Sequence, residues 1–108
     1  MSQSSSSADA GFDAGFAPDH HDARWSYIGA LNFANAARVL AATTAVALPA
    51  DGEVDLENMG SIDSAAVAVL LALKRRAEDE RKPLRFVHAP GALLALADVY
   101  GVGSILDS

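Results

Sequence analysis

Along residues 25–31 (WSYIGAL) the side chains alternate, with Trp25, Tyr27, Gly29 and Leu31 on one side and Ser26, Ile28 and Ala30 on the other. That period of two predicts a β-strand. Asn32 then offers a capping side chain, and Phe33, Ala36, Ala37 and Leu40 recur at helical spacing as the buried stripe of a first helix. Thr43, Thr44 and the stretch Pro49-Ala50-Asp51-Gly52 end that helix and supply a turn. Extended structure resumes over Glu53 to Leu56, with Val54 and Leu56 sharing a face. Ser64 to about Arg81 forms the strongest helical pattern, limited by Pro83, and Leu84 to Val87 (LRFV) reads as another short strand. Pro90 suits the first turn of a last helix whose stripe is Leu93, Leu94, Ala97 and Tyr100, with Gly101 at its C-terminal cap. Ile105 and Leu106 are expected to pack on an edge and close the fold. Strands alternating with helices predict a small α/β domain with parallel strands joined by crossovers.

The helix from Ser64 carries the most information. At roughly 100° per residue, Ala66, Leu70, Leu73 and Ala77 line up as a core stripe along its length. Ser64, Ala68, Leu71 and Arg75 fall on the opposite side, where a solvated helix should be polar. Lys74, Arg75, Arg76, Glu78, Asp79 and Glu80 make the distal half polar, yet the first two turns carry no charge. Small outward residues allow another backbone close, and an uncharged patch beside a charged rim has the make-up of a docking site. The competing reading is that a neighbouring loop of the same chain covers it. Asp63 and Ser64 are both able to cap this helix; whichever does not is free to face outward.

Residues 1–23 contain five Ser and four Asp but only two large apolar residues, Phe12 and Phe16, and are expected to be a disordered tail preceding a domain over 24–108. The chain of 108 residues is 51% hydrophobic and 20% charged, which suits a single domain. It has no cysteine, which excludes disulfides, thiolate metal sites and a cysteine nucleophile. A net charge of −6 argues against nucleic acid as the main partner. The longest apolar run, Ala65 to Leu73, is less than half of the roughly 20 residues that span a bilayer. No signal peptide is visible, so a cytoplasmic location is the expectation.

Candidate chemistry is sparse. His20-His21-Asp22 could hold a metal only weakly, and a solvated pair is the better reading. A triad of Ser64, His88 and Asp63 is formally conceivable, but neighbouring Asp and Ser side chains seldom flank one imidazole. Gly101-Val102-Gly103 lacks the strand-then-helix setting of a nucleotide loop and suits helix termination. Lys74, Arg75, Arg76, Arg81 and Lys82 interleave with acids, as on a solvated helical face. No catalytic residue, metal site or cofactor is expected.

The segment Val54-Asp55-Leu56 … Ile62-Asp63-Ser64 with the apolar helix start that follows resembles the signature of STAS domains, the anti-sigma-factor-antagonist-like modules. Pro83 to Val87, then Leu93 to Ala97 and Tyr100-Gly101-Val102, is similar to the branch that serves as the small STAS subunit of the Mla phospholipid-transport ABC complex. The resemblance covers about residues 25 to 106 and implies a mixed, mostly parallel sheet with about three helices. Two positions depart from the pattern: Ala66 stands where many STAS sequences have Gly, and the opening strand of the family is not evident before Trp25. The resemblance further implies a non-catalytic subunit, peripheral to the inner membrane, that binds and supports the transporter's ATPase. On that reading Asp63, Ser64, Ala65, Ala68, Leu71, Ala72 and Arg75 form the partner-binding surface, without direct membrane insertion. The alternative within the family is an anti-sigma-factor antagonist switched by phosphorylation at Ser64.

Overall fold

A computed structural model describes residues 14–18 and 23–106. Strands β1 (Gly15–Pro18), β2 (Arg24–Leu31), β3 (Glu53–Ile62) and β4 (Arg85–Val87) form one sheet in the order β1-β2-β3-β4. β1 runs antiparallel to β2, whereas β2 with β3 and β3 with β4 are parallel. Helices α1 (Ala36–Thr43), α2 (Ser64–Glu80) and α3 (Gly91–Val99) follow β2, β3 and β4, and a short 3-10 turn, Gly103–Ile105, comes last. The α/β class, with a mixed, mostly parallel sheet and three helices, is the one expected.

The alternation in β2 decides which face is buried. Trp25, Tyr27 and Leu31 point into the core, and Ile28 is exposed. In register across the sheet, Trp25, Val54 and Phe86 form one buried row. The row beside it, Arg24, Glu53 and Arg85, lies on the open face and alternates in charge, with N–O distances of 3.2 Å and 3.1 Å to Glu53. A slip of one residue would expose the first row and bury the second, so burial and charge specify the same register. The helices contribute Val39, then Ala66, Val67, Val69, Leu70, Leu73 and Ala77, then Leu93 and Ala97 to one continuous core. Burial of each large apolar side chain there contributes about 1.5–3 kcal/mol. Tyr27 is fully buried and donates its hydroxyl to the Ala30 carbonyl at 2.7 Å. Burial pushes its pKa up to about 12, with the Arg38 charge opposing, so it remains a neutral donor.

β3 is longer than expected because its pattern is broken twice. Between Ser26 and Ile28, and again between Gly29 and Leu31, β3 has an extra residue opposite β2. Each bulge shifts the inward phase by one, so the inward residues run Val54, Leu56, Met59 and Ile62 rather than every second position. Lys74 and Arg76 tie α2 to its surroundings. Lys74 donates to the Leu84 carbonyl and lies 5.7 Å from the Phe86 ring centroid. Arg76 donates to the carbonyls of Thr43 and Val46 at 2.9 Å and 2.7 Å, satisfying the C-terminal end of α1, and pairs with Glu80 at 2.8 Å.

Four expectations are corrected. Residues 15–18, within the stretch expected to be disordered, form β1, because Phe16 packs on Trp25 and edge-on to Tyr27, with ring centroids 5.6 Å and 4.6 Å apart. Residues 1–13, including Phe12, and His20-His21-Asp22 lie outside the described residues. Phe33 and Ala37 are exposed rather than buried; α1 instead buries Val39 and Thr43, with Ala36 and Leu40 half-buried. Its regular turns begin at Ala36, three residues after Phe33, so helical spacing counted from Phe33 is out of phase. In α3, Leu93 and Ala97 are buried but Leu94 and Tyr100 are exposed; Tyr100 already lies past the helix end. Ile105 and Leu106 close the fold against α2 and α3 rather than at a sheet edge.

Gly52 joins the start of β3 to that of β4: its N–H donates to the Pro49 carbonyl and its carbonyl accepts from the Arg85 N–H. Its φ is +70°, and a Cβ there would stand 2.7 Å from the Pro83 carbonyl oxygen. Gly52→Ala is expected to lower stability by about 2–3 kcal/mol in urea denaturation, from the left-handed backbone and the backbone shift together. Gly91→Ala, where a Cβ meets nothing within 4 Å, should change stability by less than about 1 kcal/mol. Equal stability of the two variants would contradict this account of the turn.

Candidate functional site

Asp63 follows β3 in extended backbone, with φ −140° and ψ −167°. One carboxylate oxygen accepts the Ala65 N–H at 2.8 Å, which makes Asp63 the N-cap of α2. The other accepts the Phe33 N–H at 3.0 Å, thirty residues away in sequence. The choice between Asp63 and Ser64 as cap is thereby made. Ser64 is the first helical residue, exposed, and its hydroxyl makes no hydrogen bond among the described residues.

The turn that carries Phe33 is held equally firmly. The Asn32 carbonyl accepts from Asn35 and Ala36, and its side chain accepts from the Ala34 N–H at 3.0 Å. Asn35 receives the Asn32 N–H and donates to the Ala30 carbonyl, both at 3.0 Å. Asn32 thus organises the turn before α1 rather than capping the helix directly. Phe33 emerges from this turn 87% exposed.

The ridge of α2 lies open. Ser64, Ala68 and Arg75 are exposed, and Ala65, Leu71 and Ala72 are half-buried. The seven sequence-predicted residues therefore come together on one outward flank, beginning at the cap Asp63. On one side of Ala68, an apolar groove between α1 and α2 is lined by Phe33, Ala36, Ala37, Leu40, Ala65 and Val69. On the other, a shallow depression is lined by Ser64, Val67, Leu71, Tyr100 and Val102. Among the described residues, no charged side chain lines either one. Phe33 and Tyr100 were missed as surface residues. The signals available were the turn-forming Asn32 just before Phe33 and the helix-ending Gly101 just after Tyr100, both of which take their neighbour out of helical phase. A further cleft, lined by Phe16, Trp25, Arg38, Val39 and Ala42 among others, lies on the opposite flank of α1.

The remaining polar cluster is on the open sheet face. Asp55, Glu57 and His88 each offer one ligand atom, all within 4.8 Å of one another. Asp55 is already engaged by Arg24 at 3.0 Å, by His88 at 3.2 Å and by the Glu57 N–H at 2.9 Å. Desolvation opposes ionisation of Asp55, but the Glu57 N–H, His88 and Arg24 outweigh it and hold its pKa below the usual value. Arg24 already pairs with Asp55 and Glu53, so this cluster reads as part of an ion-pair network rather than as a cation site. His88 is bound near the start of β3, whereas Asp63 and Ser64 follow its end, on the order of 20 Å along the strand. The formal triad is not assembled.

A four-stranded mixed sheet whose third strand runs into an Asp-Ser helix start is the architecture of a STAS module. The chain belongs to the family described as "Mlab, STAS domain", which matches residues 19–107. β1 lies just before the matched span and supplies the opening strand not evident in the sequence. A comparison with curated proteins finds no match. Among the described residues no helix is long and apolar enough to cross a membrane.

Asp63 and Ser64 should separate cleanly in thermodynamics. Asp63→Ala removes a cap and the acceptor of the Phe33 N–H, and is expected to cost about 1–3 kcal/mol in chemical denaturation. Ser64→Ala should cost less than about 0.5 kcal/mol, as at other exposed positions. The reverse order would show that Ser64 is the cap.

Proposed function

We propose that the protein is the non-catalytic STAS subunit of an ABC-type phospholipid transporter that maintains outer-membrane lipid asymmetry. It binds the transporter's ATPase subunit, supports its stability and activity, and resides in the cytoplasm, peripheral to the inner membrane through that partner. The binding surface is the flank of α2 formed by Asp63, Ser64, Ala65, Ala68, Leu71, Ala72 and Arg75. One observation carries the reading: the first two turns of α2 are apolar on their outward flank, and among the described residues Ser64 and Ala68 are exposed. Membership of the MlaB-type STAS family supports an ABC transporter as the partner's setting. The protein needs no cofactor or metal for this role.

The exposed Ser64 hydroxyl, without a hydrogen bond among the described residues, favours one second reading, an anti-sigma-factor antagonist switched by phosphorylation there. A phosphate would add about −1.5 to −2 charge next to Asp63. Intact-mass measurement of the native protein distinguishes the two, since the switch requires a substantial phosphorylated fraction and the transporter subunit does not.

Ala68→Asp is the direct test of docking. Ala68 is exposed, so the isolated variant should melt within a few degrees of the parent, whereas Leu71 also packs on the core and is less suitable. A charge buried without a partner at an interface costs several kcal/mol. Ala68→Asp should therefore lose co-purification with the ATPase subunit, with affinity falling at least about a hundredfold. A folded variant that binds normally would remove the proposal.

A further inference from the structure

Residues 9–16 are one tetrapeptide written twice, Asp9-Ala10-Gly11-Phe12 followed directly by Asp13-Ala14-Gly15-Phe16. The second copy leads into β1 and makes the contacts that hold this strand. Phe16 stands opposite Tyr27 and packs on the Trp25 and Tyr27 rings, and Gly15 stands opposite Ile28. Ala14 packs on the core beside Gly29, whose φ of +93° and missing side chain leave it room: a Cβ on Gly29 would lie 2.9 Å from the Ala14 Cβ. Ala17 and Pro18, which complete β1, are both exposed. The first copy of the repeat lies outside the described residues.

We infer that β1 has two registers on β2: the major one seats residues 13–16 as described, and a minor one, slipped by four residues, seats residues 9–12 in the same place. A slip of one would turn every side chain to the wrong face, whereas a slip of four keeps every face. Ala10, Gly11 and Phe12 then stand where Ala14, Gly15 and Phe16 stood, so Trp25 and Tyr27 stay covered by an identical ring. The differences fall on the two exposed positions, where Asp13 replaces Ala17 opposite Ser26 and Ala14 replaces Pro18 opposite Trp25. Asp is the poorer strand former, which favours the described register. The connection to Arg24 also grows from residues 19–23 to residues 15–23, and loop-closure entropy disfavours the slip by about two- to threefold. Both terms are small beside the ring contact that the two registers share. Either copy therefore closes the sheet edge. The slip draws the upstream segment in by about 13 Å and releases Phe16 into the connection before β2.

The test uses the full chain and two readouts. In urea denaturation, Phe12→Ala should raise the unfolding equilibrium constant by less than about twofold. Phe16→Ala should raise it by less than about tenfold, because the slip seats Phe12 in its place, and the double variant by at least about a hundredfold. A double variant that does not fold, beside a folded Phe16→Ala, supports the inference in the same way. The second readout is disulfide trapping in a chain without cysteines of its own. In the parent background, Ala17→Cys with Ser26→Cys should bridge faster than Asp13→Cys with Ser26→Cys, since residue 13 then lies about 13 Å along the strand from its slipped position, beyond the roughly 7 Å reach of a disulfide. In the Phe16→Ala background that preference should reverse. Phe16→Ala as damaging as the double variant, or a preference that does not reverse, would overturn the inference. A 13–26 bridge that joins two molecules on a non-reducing gel would seat the first copy on a second chain and overturn it as well.

Discussion

A single carboxylate links the start of α2 to the turn that precedes α1, the two segments that frame the proposed recognition surface. Asp63 caps α2 with one oxygen and holds the backbone of Phe33 with the other. Hydrogen bonds to an ionised acceptor contribute about 1.5–3 kcal/mol, so the two contacts are a substantial share of the stability of a domain this small. Their geometric effect is larger than their energy. With Asp63 as the cap, the Ser64 hydroxyl faces solvent, and with Phe33 fixed in its turn, the ring stands over the groove between α1 and α2. The end of β3 and the end of β2 are thereby joined at the surface through side-chain chemistry as well as through the sheet.

The distribution of charge reinforces this arrangement. On the open sheet face, Arg24, Glu53, Asp55, Arg85 and His88 pair with one another. On the distal half of α2, Arg76 is turned toward α1 and Glu80, and Lys74 toward β4. Internal pairing therefore absorbs most basic side chains near the domain's faces and leaves the start of α2 apolar. An exposed apolar strip in a domain whose basic side chains are mostly paired is poorly suited to nucleic acid or anionic lipid and well suited to a protein surface.

Much of this was legible in the sequence because burial follows period. The alternation of Trp25, Tyr27 and Leu31, and the helical recurrence of Ala66, Leu70, Leu73 and Ala77, are reproduced residue by residue. The outward flank of α2 followed from the same wheel. What escaped lay where period breaks. The two bulges in β3 hide Met59 and Ile62 from an every-second-residue reading. The turn at Asn32–Asn35 and the end of α3 take Phe33 and Tyr100 out of the helices whose stripes they seemed to continue. β1 escaped for a different reason: its four residues are stabilised by Phe16 against rings of β2, a tertiary contact that local composition does not encode.

The absence of cysteine from the chain makes its central claim directly measurable. Ala68→Cys places one thiol at the crest of α2, and Asn58→Cys places a control on an exposed position of β3. In the isolated chain both thiols should react rapidly with a maleimide. With saturating ATPase subunit, the thiol at position 68 should become protected while the one at position 58 keeps its rate. Slow labelling at position 68 in the isolated chain would mean that its own polypeptide covers the crest, and undiminished labelling in the complex would mean that the partner binds elsewhere.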